Sequence, residues 1–197
     1  MKVEFNNQLI NLGGFNNLNK IGGLEIKYQN QLLDVNEFSN LIKISGDLKI
    51  DGTSIENLDG FENVDSIYGD LYISANSNLD TLNSFDSLTY IGKNLNIRLF
   101  NGIAYVEDFS RLTLIKNSLI IEGNIEFNSS FNALRKVDYI RISSNPIINE
   151  VTTFNEVDSV FSSIVFEYNN QIISISGFQN LNFLPYLSLN SNTFKLD

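Results

Sequence analysis

The chain has 197 residues and a formal charge of −10, with no His, no Cys, no Trp and only two prolines. Without Cys it forms no disulfide, and without His or Cys it lacks the usual transition-metal ligands and every nucleophile system built on those residues. The charge is concentrated: eleven acids between Asn30 and Tyr90 face only Lys43 and Lys49, and such a belt repels phosphate backbones, so nucleic acid is not expected as a partner.

The first residues, MKVEFNNQLINLGG, lack the basic region and apolar run of a signal peptide, and no stretch is long and apolar enough to predict a membrane span. If these residues are the whole product, a cytoplasmic protein or a component of a particle is expected. If they are a domain trimmed from a longer chain, a cell-surface or secreted protein is expected.

From Val3 onward, an apolar pair spaced by two returns every 21 to 24 residues. The pairs are Val3/Phe5, Leu24/Ile26, Leu48/Ile50, Leu71/Ile73, Leu95/Ile97, Leu119/Ile121, Ile140/Ile142, Ile164/Phe166 and Leu187/Leu189. A spacing of two places both side chains on one face of a short strand. Repetition at this period predicts coils stacked into a solenoid. The expectation is therefore an all-β parallel β-solenoid with about eight coils in one domain spanning residues 1–197.

Each strand is followed by a second apolar pair spaced by three, from Leu9/Leu12 through Leu79/Leu82 and Ile103/Val106 to Ile172/Ile175. The fifth repeat departs, with Asn128 where an apolar residue is expected, and Phe127 is predicted to fill the gap in a short, irregular coil. Next comes one Phe per coil, at 15, 38, 61, 85, 109, 131, 154 and 178, with aliphatic residues following at intervals of three. That interval predicts a tight or 3₁₀-like turn, and the fixed phase predicts a buried aromatic stack. Gly23, Gly46, Gly69 and Gly92 precede strands, where positive φ is expected, and the replacement of Gly by Asn117, Tyr139 or Ser162–Ser163 predicts a changed turn. Asn76, Asn124, Asn145, Asn169 and Asn192 recur five residues after the strand's first apolar residue and predict a ladder of amide side chains.

The stretches NLDGFENVDSIYGDLYISANSNL (57–79), NLNKIGGLEI (17–26) and SFDSLTYIGKNLNI (84–97) together resemble the receptor L-domain family, in the style of its bacterial-type stand-alone members. The resemblance implies a leucine-rich-repeat-like right-handed β-helix that binds or scaffolds without catalytic residues. It departs from the receptor members in having no disulfides and no visible capping helix. Lys2 and Lys195 are expected to act as charged gatekeepers, with Thr193–Asp197 folding over the last coil.

Outward positions of the strands form two columns, on which Glu25 is expected beside Lys49, Lys27 beside Asp51 and Arg98 beside Glu122. Tyr72, Asn96, Arg98, Ile120, Arg141 and Val165 are the candidate binding residues, because exposed apolar, Tyr and Arg side chains are what interfaces favour. Asp47 with Asp70, and Glu62 with Asp86, share a phase and are weak candidates for Ca²⁺, although no recognisable calcium loop is present. No cofactor and no enzymatic activity are expected. The expected function is a protein-interaction or structural scaffold module, acting through a protein partner or by self-association through the solenoid ends. A surface adhesin or glycan-binding protein is the alternative, and a polysaccharide-active β-helix enzyme a further one.

Overall fold

The computed structural model describes residues 1–127 and 130–192, with the side chains of residues 101–103 not described. Thr193–Asp197, Lys195 and Asn128, and the side chain of Ile103, therefore lie outside the described residues. Within them the chain is an all-β parallel solenoid of about eight coils of roughly 24 residues, without α-helix. Nine strands stack in the main row, beginning with Lys2–Glu4, Leu24–Lys27, Leu48–Asp51 and Leu71–Ser74. The row continues through parts of Leu95–Val106, Ser118–Glu126, Lys136–Ser143 and Ser159–Glu167, and ends at Leu187–Asn190. A second row of two-residue strands, such as Lys43–Ile44 and Ser66–Ile67, runs along another side.

The alternation of buried and half-buried residues in LEIK, LKID and LYIS shows directly why these segments are strands. The first apolar pair is shifted from the sequence expectation. Val3 pairs with Ile26 and Lys2 with Glu25, so Val3 is the second apolar position of its strand, not the first. Phe5 then falls outside the core, is 68% exposed, and takes a left-handed φ of 57° like Tyr28 in the next coil. Local alternation could not reveal this, because Val3/Phe5 and Met1/Val3 have the same spacing.

The Phe residues form one stack along the axis, with neighbouring ring centroids 5.2 to 5.9 Å apart and planes within 18°. Six of the eight, from Phe38 to Phe154, are fully buried. Each pair adds about 0.5–1.5 kcal/mol beyond its area burial. In every coil the Phe carbonyl accepts from the N–H three residues on, as in Leu41→Phe38 and Leu134→Phe131. Phe127 is buried and meets Phe131 edge-on, filling the irregular coil as expected.

The corner beneath this stack changes along the chain. Phe38 and Phe61 end short 3₁₀ turns, Asn36–Phe38 and Asp59–Phe61, whereas Phe109, Phe131, Phe154 and Phe178 are left-handed, with φ between 59° and 69°. Left-handed backbone is costly for a side chain as bulky as Phe, so the ring stack outweighs local preference there.

The glycines before the strands do not have positive φ, which belongs instead to Gly14, Gly52 and Gly123. Gly46, Gly69 and Gly92 are there for close approach. A Cβ on Gly46 would come within 3.0 Å of the Gly22 carbonyl oxygen, and one on Gly92 within 3.0 Å of the Tyr68 carbonyl. At Tyr139 and Ser162–Ser163 the turn does change form, because Lys136–Ser143 and Ser159–Glu167 run through the corner as single strands with a register shift, whereas at Asn117 the chain keeps a bend between Leu114–Ile115 and Ser118–Glu126 as in the glycine corners. The Asn ladder is present at Asn145, Asn169 and Asn192, each Oδ1 accepting a backbone N–H of the coil before it. Asn76 does the same for Thr53. Asn124 does not join: the bulge at Gly123 leaves it half-exposed, and Asn145 reaches the N–H of Ile125 instead.

The hydrophobic core is one continuous cluster. The partly buried apolar residues packed against it all lie in the two outermost described coils: Leu9, Phe15, Leu18 and Ile21 in one, and Ile175, Phe178, Leu181 and Leu189 in the other.

Candidate functional site

The outer face of the main strand row carries the candidate binding residues. Register places Lys49, Tyr72, Asn96, Ile120, Arg141, Val165 and Ser188 side by side on successive strands. Five of the six candidates thus form one unbroken column, and Arg98 stands in the adjacent column between Ser74 and Glu122. All six are half-buried. Parallel strands repeat about every 4.8 Å, so the column is a ribbon of side chains held by backbone register rather than by loops.

Carboxylates position the two arginines. Arg98 Nε lies 3.2 Å from Glu122, and Arg141 Nη2 lies 2.5 Å from Glu167 one coil on. Arg98 Nε meets Glu122 as an ion pair outside hydrogen-bond geometry, while Arg141 Nε is buried without a hydrogen-bond partner, as is the hydroxyl of Ser143, which sits between Glu122 and Glu167 in register. Tyr139 extends the face on the other side of Arg141, and burial raises its phenol pKa against the nearby Arg141 charge, so it stays neutral. Sequence reasoning took Tyr139 only as a turn residue and missed the Arg141–Glu167 diagonal. The outward phase of 139, 141 and 143 was the available signal for the first, but nothing in the sequence told a diagonal from a direct pair.

The lysines also differ from expectation. Glu25 does stand beside Lys49, and Lys27 beside Asp51. Lys27 nevertheless bonds Glu25 on its own strand at 3.0 Å, and Lys49 bonds Asp47 at 2.7 Å. In strands the i and i+2 side chains share a face, and these short contacts win over the cross-coil ones. The Glu25 hydrogen bond lowers that carboxyl's pKa and raises that of Lys27.

The Ca²⁺ candidates have other partners. Asp47 Oδ1 accepts the Asp70 N–H at 2.9 Å, and Asp70 Oδ1 accepts the Asn94 N–H at 3.1 Å. Asn94 Oδ1 in turn accepts from Ser118, which completes a second side-chain ladder at the opposite corner from the Asn ladder. Burial pushes the Asp47 carboxyl up, but the Lys49 hydrogen bond, the Asp70 N–H and the charges of Lys49 and Lys93 together hold it below the ordinary value. Glu62 and Asp86 are exposed. Among the described residues, no group of three or more acids is placed to hold a metal ion.

Among the described residues, the most fully enclosed ionisable group lies away from the face. Asp108 is buried, and its carboxylate accepts the N–H groups of Ser84 at 2.6 Å and Phe85 at 2.9 Å. It caps the Phe85 turn where the corner changes form. Burial pushes its pKa up, the two N–H groups pull it down, and the charges of Asp86 and Glu107 push it up again, which leaves it raised to about 7. A separate depression of about 630 Å³, lined by Glu56, Asp59, Asp80 and several amide side chains, opens on a third side. No helix among the described residues is long and apolar enough to cross a membrane.

The Receptor L domain family model matches residues 19–84 and 42–99. Over that N-terminal stretch the β-solenoid is receptor L-domain-like. The matched stretch ends where the 3₁₀ corners at Phe38 and Phe61 have given way and before the left-handed corners begin at Phe109. The later coils, beyond the matched stretch, keep the apolar columns but form the corner differently. No curated protein and no solved structure matches the chain.

Proposed function

We propose that this receptor L-domain-like solenoid is a non-catalytic interaction or scaffold module that binds a protein partner on the outer face of its main strand row. The observation that carries the reading is the unbroken column Tyr72–Asn96–Ile120–Arg141–Val165, set in register and flanked by Arg98 and Tyr139. Tyr and Arg are enriched at binding hot spots, and an aliphatic centre with a charged rim is how interfaces are built. Glu122 and Glu167 hold the arginines in place, which lowers the ordering cost of binding. The reading assigns no catalytic residue.

The test is a photo-crosslinking side chain placed at position 120 and, separately, at the exposed position 62. A protein captured at 120 and not at 62 is the expected partner, and its affinity is then measured against Ile120→Asp and Arg141→Ala. Each substitution is expected to weaken binding by about tenfold or more. Unchanged affinity in both folded variants overturns the reading. Binding of an oligosaccharide that is lost in the same variants replaces the protein partner by the adhesin alternative.

A further inference from the structure

The column on the strand face has a period of its own. From Tyr72 to Val165 apolar and polar side chains alternate, so that Asn96 separates Tyr72 from Ile120 and Arg141 separates Ile120 from Val165. Neighbouring positions keep the same rhythm. Ser118 and Ser163 stand two residues before Ile120 and Val165, whereas Tyr139 stands two residues before Arg141. Side chains two apart in a strand share a face. The Ile120 and Val165 rungs, with small serines beside them, are therefore low, and the Tyr139–Arg141 rung between them is high.

Strands of the row repeat every ~4.8 Å, so the apolar side chains of the column recur about every 9.6 Å. A polyproline II segment has three residues per turn, which brings every third side chain back after about 9.3 Å. Two such turns span about 19 Å, as do the four steps from Tyr72 to Val165. In an extended β-strand the side chains of one face recur about every 6.8 Å and fall out of step at the first interval. In an α-helix the heptad repeat of about 10.5 Å drifts by ~2 Å over the same span, and the backbone groups are already bonded to one another. Polyproline II has no internal hydrogen bonds. Its carbonyls need donors, and the rungs between the apolar ones supply them: the Asn96 amide, the Arg141 guanidinium and the hydroxyl of Tyr139, which stays neutral. Charge favours the same partner. Arg98 and Arg141 are matched by Glu122 and Glu167, so their charges cancel on the face although the chain carries −10, and an uncharged segment suits it better than an acidic or a basic one.

Resting on the strand-face reading, we infer that the partner is bound through an uncharged, proline-rich polyproline II segment lying across the strands, along the solenoid axis. Every third side chain of the segment sits on Tyr72, Ile120 and Val165, and its carbonyls accept from Asn96, Tyr139 and Arg141. Grooves that combine aromatic side chains with such donors recognise proline-rich segments, which arrive already extended and so lose little entropy on binding.

The probe is a fluorescein-labelled peptide of three Leu-Pro-Pro repeats, titrated with the 197-residue chain up to millimolar concentration and followed by anisotropy. A peptide of the same composition with its three leucines adjacent is the spacing control. Saturable binding of the periodic peptide is expected, with the control weaker by about tenfold or more. Both peptides meet the wild-type chain, so this comparison does not depend on any variant folding. On the protein side, Asn96→Ile combined with Ile120→Asn keeps the composition of the face but breaks its two-coil period, and circular dichroism checks that the chain is folded. The exchange is expected to weaken the periodic peptide by about tenfold or more. Absence of saturable binding, equal affinity for the two peptides, or unchanged affinity of the folded exchange variant overturns the inference. A protein crosslinked at position 120 through a segment without this proline-rich spacing overturns it too, but leaves the strand-face reading standing. No capture at 120 together with no peptide binding removes both.

Discussion

Asp108→Asn tests how the solenoid tolerates a charge in its core. The wild-type carboxyl is moved from its ordinary 3.8 to about 7 by burial, against the two backbone N–H groups it accepts from. Below pH 4 it is neutral in both the folded and the unfolded chain. Between pH 4 and 7 the unfolded chain releases this proton while the folded chain keeps it, so stability falls as pH rises, and above 7 the loss is complete. The span corresponds to ~4 kcal/mol. Asn mimics the neutral carboxyl, with one oxygen left to accept a single N–H. The variant is therefore expected to match wild type at pH 4 and to exceed it by up to ~4 kcal/mol at pH 8. For a chain of this size that is about 10 °C in Tm. The assay is paired thermal and urea unfolding of both proteins across pH 4 to 8, read as the difference between them so that all other acids cancel. A deficit for the variant that is the same at every pH would refute the reasoning, because the two N–H groups would then hold Asp108 charged throughout.

Gly60→Ala is expected to destabilise by about 1–3 kcal/mol in urea unfolding, since the new Cβ would come within 3.0 Å of the Val35 carbonyl in the preceding coil. A neutral result would show that the corner relaxes freely. Phe85→Ala, at the centre of the stack, is expected to cost about 3–5 kcal/mol, and Phe15→Ala, which has one stacked neighbour and is partly exposed, measurably less. Equal losses would contradict the axial stack as the source. Asp47→Asn removes an ion pair whose carboxyl pKa is lowered, so wild type should lose its advantage of about 0.2–1 kcal/mol as pH falls through the acid range. Millimolar Ca²⁺ is expected to leave Tm unchanged, because Asp47 and Asp70 already serve backbone N–H groups. A calcium-dependent rise reversed by chelation would restore a metal role to that corner.

The sequence alone determined the repeat and its inward columns. Side-chain phase within a strand and coil-to-coil recurrence are local and periodic, and burial needs only apolar residues at the right interval. The Phe stack, the filling role of Phe127 and the column from Tyr72 to Val165 were legible for that reason. Tertiary structure alone decided quantities that depend on which coil lies against which. It set Val3 against Ile26, gave Gly46 and Gly92 their role through the carbonyls of Gly22 and Tyr68 and not through φ, and turned Lys49 to Asp47. It also buried Asp108 under the Phe85 turn and left Asn124 out of the ladder, through a bulge at Gly123 with no signature in the repeat. A repeat specifies what each coil contributes to its neighbours. The contacts at corners and bulges arise only when the coils are stacked, because there the energy depends on distances between residues some two dozen positions apart.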